Sequence, residues 1–243
     1  MTASFSSAAD GPEFSVQSFG RTYSPGLAIN PTGAYSLRTW GTAADPLHGY
    51  VRIAGVALLT PTSVGARTEF DFYPVSFLGF TAGRNWIERF GDIPSLDCER
   101  NECIGTLHSS DLSVRGLLKV GNIFGSVKFT KIFYDLSESG ARNLVDPMGA
   151  LIVSGDGEES NQWNVATGID LSPEWAIGGI FQSQELLLNS GTQNAQYLFA
   201  RRKKDAFTFT VGAGRFSSEM KSAHPSFIAA VVWAPVPSTE PGR

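Results

Sequence analysis

Residues 161–171, NQWNVATGIDL, place Trp163, Val165, Thr167, Ile169 and Leu171 on one side of an extended chain. Gln162, Asn164, Ala166, Gly168 and Asp170 fall on the other side. Alternation sustained for this long marks a strand, because successive side chains of extended backbone leave opposite faces. The pattern recurs through most of the chain. Trp175, Ile177, Gly179 and Phe181 alternate with Ala176, Gly178, Ile180 and Gln182, and Leu112, Val114, Gly116 and Leu118 alternate with Ser113, Arg115, Leu117 and Lys119. A chain patterned in this way folds as sheet, and its 17 phenylalanines and 12% aromatic content fit that assignment.

The apolar runs are too short for a membrane helix. The longest, IAGVALL at 53–59 and FIAAVVWA at 227–234, fall well below the ~20 residues that a spanning helix needs. Charged residues make up only 17% of the chain, against ~25% in ordinary soluble domains. If the chain crosses a bilayer it must do so as a closed barrel, the other fold that satisfies every backbone group in lipid. The net charge of −4 gives no reason to expect nucleic acid as a partner, since that affinity rests on a positive field. The basic run RRKK at 201–204 reads as a solvated turn.

The stretch ARTEFDFYPVSFLGFTAGR, residues 66–84, sets the two faces. Phe70 and Phe72 share one face, while Arg67, Glu69 and Asp71 share the other. Lipid outside and a polar lumen inside account for both. Arg115, Lys119 and Lys128 extend the inward set, giving a lumen charge cluster of Arg67, Glu69, Asp71, Arg115, Lys119 and Lys128. Pairing within that cluster is expected, because an uncompensated buried charge is costly. Inward Phe124, Ile132, Ile180 and Leu198 would narrow the lumen, and the last strand would add Ile228, Ala230 and Val232. Gly79, Gly83, Gly168, Gly178, Gly212 and Gly214 share the polar face. A solvated sheet face would carry Thr, Lys and Glu there, so glycine points to a crowded interior rather than to a soluble sandwich.

The expected architecture is all-β, a transmembrane antiparallel up-and-down barrel of about ten strands over residues 48–235, with twelve as the rival count. Short turns near 74, 120, 171 and 202 alternate with longer loops, of which 136–160 is read as one external segment able to cover the outer mouth. GALIVSG at 149–155 is the extra strand candidate. Residues 1–47 are expected to lie outside the barrel wall, as an extended plug or periplasmic segment, and 236–243 as a tail. The opening MTASFSSAAD has neither the basic nor the apolar region of a signal peptide, so an exported protein is expected to begin here in mature form.

Taken together, the alternating segments, aromatics at strand ends and a final strand SFIAAVVW ending in Trp233 resemble bacterial outer-membrane β-barrel proteins over residues 48–235. Architecture alone suggests a narrower likeness to the ring-forming PopA type. The outer-membrane resemblance implies membrane lipid as surroundings and outer-membrane insertion machinery as a partner, while VRIAGVALL at 51–59, apolar on both faces with small Ala and Gly on one of them, leads to the expectation of a homo-oligomer. The resemblance also implies an aromatic or lipid-facing girdle of Phe70, Phe72, Trp86, Trp163, Trp175, Tyr197, Phe207, Phe209 and Trp233. A structural, membrane-organising barrel with little open lumen is the leading expectation. A narrow pore for small polar solutes and a barrel-embedded lipid-modifying enzyme are the alternatives.

No catalytic set emerges. His108 lies beside Ser109, Ser110 and Asp111, but a nucleophile and its base must face each other, and alternation puts His108 and Ser109 on opposite faces. His48 and His224 read as surface residues. The acidic SGDGEES at 154–160 lacks the ligand spacing of a calcium loop. Cys98 and Cys103 enclose ERNE, with no other cysteine in the chain. A metal site would need more ligands, so a small disulfide formed in an oxidising compartment is expected. No metal or other cofactor is expected.

Overall fold

A computed structural model describes residues 10–23, 25–42, 45, 47–91, 103–136, 143–146, 151–154, 157–219 and 221–235. Among them are fourteen strands and no helix. Seven form the first half: β1 (Gly11–Arg21), β2 (Gly26–Trp40), β3 (Gly49–Leu59), β4 (Ser63–Val75), β5 (Leu78–Arg89), β6 (Gly105–Val120) and β7 (Ile123–Asp135). Two short strands, β8 (Asn143–Asp146) and β9 (Leu151–Ser154), follow. The second half is β10 (Glu159–Asp170), β11 (Trp175–Leu186), β12 (Thr192–Lys204), β13 (Phe207–Ser218) and β14 (Lys221–Trp233).

Twelve of these strands close into an antiparallel barrel in chain order, with β7 passing directly to β10 and β1 sealing against β14. β8 and β9 pair only with each other. The rival count of twelve is therefore the right one. The two additional strands are not GALIVSG but β1 and β2, which fall in the segment expected outside the wall. That expectation for residues 1–47 is corrected by the ladders from Gly11↔Ser36 to Arg21↔Gly26 and from Ile29↔Leu59 to Trp40↔Gly49. EFSVQSFG and GAYSLRTWG within 1–47 can each run as extended chain, and the proline and glycine between them do not prevent it. In the structure Pro31 faces outward and Gly33 has open space around it. The expected tail, 236–243, lies outside the described residues.

An even strand number puts the start of β1 and the end of β14 on one side. That side carries the tight turns Ser76–Phe77, Gly121–Asn122 and Asp205–Ala206, and the opposite side carries the connections 90–104 and 136–158. Gly121 adopts φ +57, a left-handed value that glycine takes without steric cost. The seam β1–β14 is the shortest wall ladder, running from Val16↔Trp233 to Arg21↔Ile228.

Three inward glycines make space for large neighbours. A Cβ at Gly178 would stand 2.8 Å from Phe199 Cζ, one at Gly168 2.5 Å from Phe124 Cζ, and one at Gly212 2.9 Å from Ile228 Cγ1. These are well inside ordinary van der Waals contact. Rings lie over glycines and fill the lumen beside them, which lets a barrel with many bulky inward residues close.

Candidate functional site

The lumen has two contrasting halves. At the long-loop end the β8–β9 hairpin sits inside the wall. Leu144, Leu151 and Val153 are fully buried in a cluster with Leu107, Tyr134, Leu136 and Leu186. Val145 joins a second cluster with Cys103, Ala195, Tyr197 and Phe216. The lining residues come from β6, β7, β11, β12 and β13, so the hairpin touches much of the circumference. Arg89, 1% exposed, donates from Nη1 to the Val145 carbonyl at 2.7 Å. The Glu219 carboxylate accepts from the Ile152 backbone N–H. Burial chiefly pushes the Glu219 carboxyl above its ordinary range and the nearby Glu158 charge adds to the effect, while the Ile152 hydrogen bond opposes it.

Below the hairpin the wall carries a polar network. Arg67 forks onto Asp111 with both terminal nitrogens, while its Nε donates to Glu69 and its Nη1 to Asn85. Arg52 joins Asp71 at 3.0 Å, Glu13 at 3.3 Å and Glu69 at 3.8 Å. Thr81 donates to Asp71, and Asn85 Nδ2 donates to Ser109 Oγ at 3.1 Å. Arg52, which sits mid-strand within the apolar YVRIAGVALL, and Glu13, on a strand assigned outside the wall, were missed from sequence. Towards the tight turns, Asp170 binds Lys119 at 3.0 Å and Arg201 at 3.2 Å. Arg201 also lies 4.9 Å above the Phe124 ring.

Every member of the sequence-derived lumen cluster lies on the inner wall, but the structure divides them. Arg67, Glu69 and Asp71 belong to the paired network, and Lys119 belongs to the rim group around Asp170. Arg115 and Lys128 stand opposite each other across β6–β7. Among the described residues neither has an ion-pair partner.

On the outer surface Phe70, Phe72, Trp86, Trp163, Trp175, Phe207 and Phe209 are all exposed, and Trp233 packs edge-on against Phe14 at 5.9 Å. Tyr197 is a correction. It is buried and donates to Ser226 Oγ at 3.2 Å inside the lumen. Leu198, expected inward, is 76% exposed. The face of β12 was misassigned because its apolar residues, Ala195, Tyr197 and Phe199, point inward, with Tyr197 opposite Gly214 and the Phe199 ring over Gly178. Hydrophobicity normally marks the lipid side, and here the glycines of the neighbouring strands reverse the rule.

His108 lies on the outer face and Ser109 on the inner face, so they do not form a nucleophile–base pair. Among the described residues no cluster of acids, histidines and cysteines could hold a metal. Cys103 is buried beside Val145 and Phe216, and Cys98 lies outside the described residues.

No protein family and no curated protein matches the chain. Solved structures do. An outer-membrane channel from Pseudomonas putida F1 superposes with a TM-score of 0.54 at 10% identity, covering 96% of this chain and 99% of that one. The NanC porin gives 0.46 at 9% identity, covering 90% and 98%, and the KdgM porin gives 0.46 at 8% identity over the same shares. The likeness to the Pseudomonas channel, with the closed twelve-strand wall, gives the fold as that of bacterial outer-membrane β-barrels. The narrower ring-forming PopA type gains no support from these likenesses.

Proposed function

We propose that the chain is an integral barrel of the bacterial outer membrane, with an occluded lumen and a structural role exercised through its lipid-facing surface. The observation that carries this reading is the β8–β9 hairpin, whose Leu144, Val145, Leu151 and Val153 side chains are fully buried inside the wall. A water-filled channel needs a polar, open lining, and a barrel of about eight strands is already filled by its own side chains. Twelve strands would leave space, but the hairpin takes up the loop end. Phe124, Ala176 and Phe199 pack together lower down. Outside, the exposed Phe and Trp side chains form an apolar surface suited to acyl chains, with Trp86 and Trp163 towards the loop end and Trp175 and Phe207 towards the turns. Small outward residues such as Gly33 and Gly55, each with open space at its Cβ position, favour close approach of a second copy in lipid, where packing drives association.

A second reading, a gated narrow pore for small polar solutes, is favoured by the charged lower lumen. Planar-bilayer recording separates the two. The intact protein should conduct poorly, and deletion of 143–154 should open a steady conductance. Large steady conductance from the intact barrel would make the pore reading correct. Sizing in mild detergent tests the homo-oligomer, and a monomer would remove that part of the proposal.

A further inference from the structure

Arg115 and Lys128 form the one cross-strand pair of like charges in the lumen wall among the described residues. Directly opposed residues on one sheet face stand roughly 5 Å apart, and like charges there are unfavourable. The four carboxylates nearby, Glu13, Glu69, Asp71 and Asp111, make their close contacts with Arg52 and Arg67. They balance Arg115 and Lys128 in total charge but leave both without an ion pair. Both donor groups therefore have hydrogen-bonding capacity left over.

A second observation comes from the same patch of wall. Ser113 and Thr130 are opposed one step along the same ladder, and Asn164 is opposed to Lys128 on the other side. They are 5%, 4% and 7% exposed, and Ser113 Oγ, Thr130 Oγ1 and Asn164 Oδ1 have no hydrogen-bond partner in the protein. Buried polar atoms are nearly always satisfied, so several orphans in one place call for a ligand. Two cations, two hydroxyl donors and an amide converge from three adjacent strands.

We infer that this patch is an oxyanion-binding site, taking the carboxylate or phosphate group of a small solute. Arg115 supplies a planar fork of donors and Lys128 a point charge, while the two hydroxyls donate to the remaining oxygen lone pairs. Asn164 contributes its amide N–H once its side-chain amide is turned over, a choice that hydrogen bonding decides. Arg115 and Lys128 each lie five residues from the β6–β7 turn, on the opposite side of the lumen's length from the hairpin. The solute therefore approaches from the tight-turn end, and binding does not require the hairpin to move.

The test is calorimetric titration of the full-length, detergent-solubilised barrel with sodium phosphate and with sodium acetate at constant ionic strength. Saturable one-to-one binding of at least one of them is expected, and the tighter of the two identifies the oxyanion. R115Q/K128Q should weaken binding tenfold or more. S113A/T130V, which retains both charges, should weaken it several-fold while leaving gel mobility of the unboiled protein unchanged, and it serves alone if the charge variant does not fold. Absence of saturable heat with both anions, or equal affinity in wild type and S113A/T130V, overturns the site.

Discussion

Arg67 shows how differently two ion pairs of the same lumen should behave. Its fork on Asp111 is deeply buried, with the Asp111 side chain 3% exposed, whereas the Lys119 side chain that meets Asp170 is 52% exposed. Removing one partner of a buried pair strands the other charge and costs about 3–5 kcal/mol, but an exposed pair is worth about 0–1 kcal/mol. Arg67→Leu should therefore lower the urea midpoint of the detergent-folded barrel markedly, and Lys119→Leu should barely move it. Equal shifts would mean that the network is not what holds this wall. Cys103 makes a separate prediction. We propose that it pairs with Cys98, so mass spectrometry of unreduced exported protein should find that pair two hydrogens lighter than the dithiol. Free thiols would exclude the bond. Residue identity alone made the inward position of Arg67, Glu69 and Asp71 legible. Tyr197 was not legible, because its direction depends on Gly214 of the neighbouring strand making room for a ring.

The β8–β9 hairpin was half legible. GALIVSG reads as an extra strand candidate, and taking 136–160 as one external segment keeps it out of the wall. That it enters the lumen depends on what it touches, and those residues lie far away in the chain: Arg89, Leu186, Phe216 and Glu219. The same limit applied to β1 and β2, whose place in the wall depends on their distant partners β14 and β3. Glu219 gives the hairpin a pH dependence. Its carboxyl is raised chiefly by burial, so the docked hairpin binds protons that the undocked one releases. Docking should therefore strengthen as pH falls from the raised value towards the ordinary carboxylate range and weaken as pH rises through that window. Glu219→Gln retains an oxygen to accept from Ile152 and removes the charge. Its hairpin should resist limited proteolysis equally at pH 5 and 8, whereas the wild type is cut faster at pH 8. Identical pH slopes in the two proteins would rule Glu219 out as the titrating group.

At the scale of the whole molecule, ten strands of the wall could be drawn from period-two alternation and the turns, because a lipid face and a crowded lumen impose opposite chemistry on alternate residues; β1 and β2 complete the twelve. Which strands close it could not, since β1 and β14 are joined by no local signal. Their ladder, from Val16↔Trp233 to Arg21↔Ile228, is short and links the two ends of the chain. Every other wall ladder joins neighbours along the chain or, at β7–β10, spans a modest insertion. Bringing distant segments together costs loop-closure entropy that rises with the logarithm of their separation, and the contacts compensate for it only after closure. The barrel should therefore assemble as a growing open sheet whose two edges zip together last, and it should part there first. Hydrogen exchange in detergent should find the amides of β1 and β14 the earliest to label, with β6 and β7 among the slowest. If β6 and β7 open before the edges meet, closure is not the final event in building this wall.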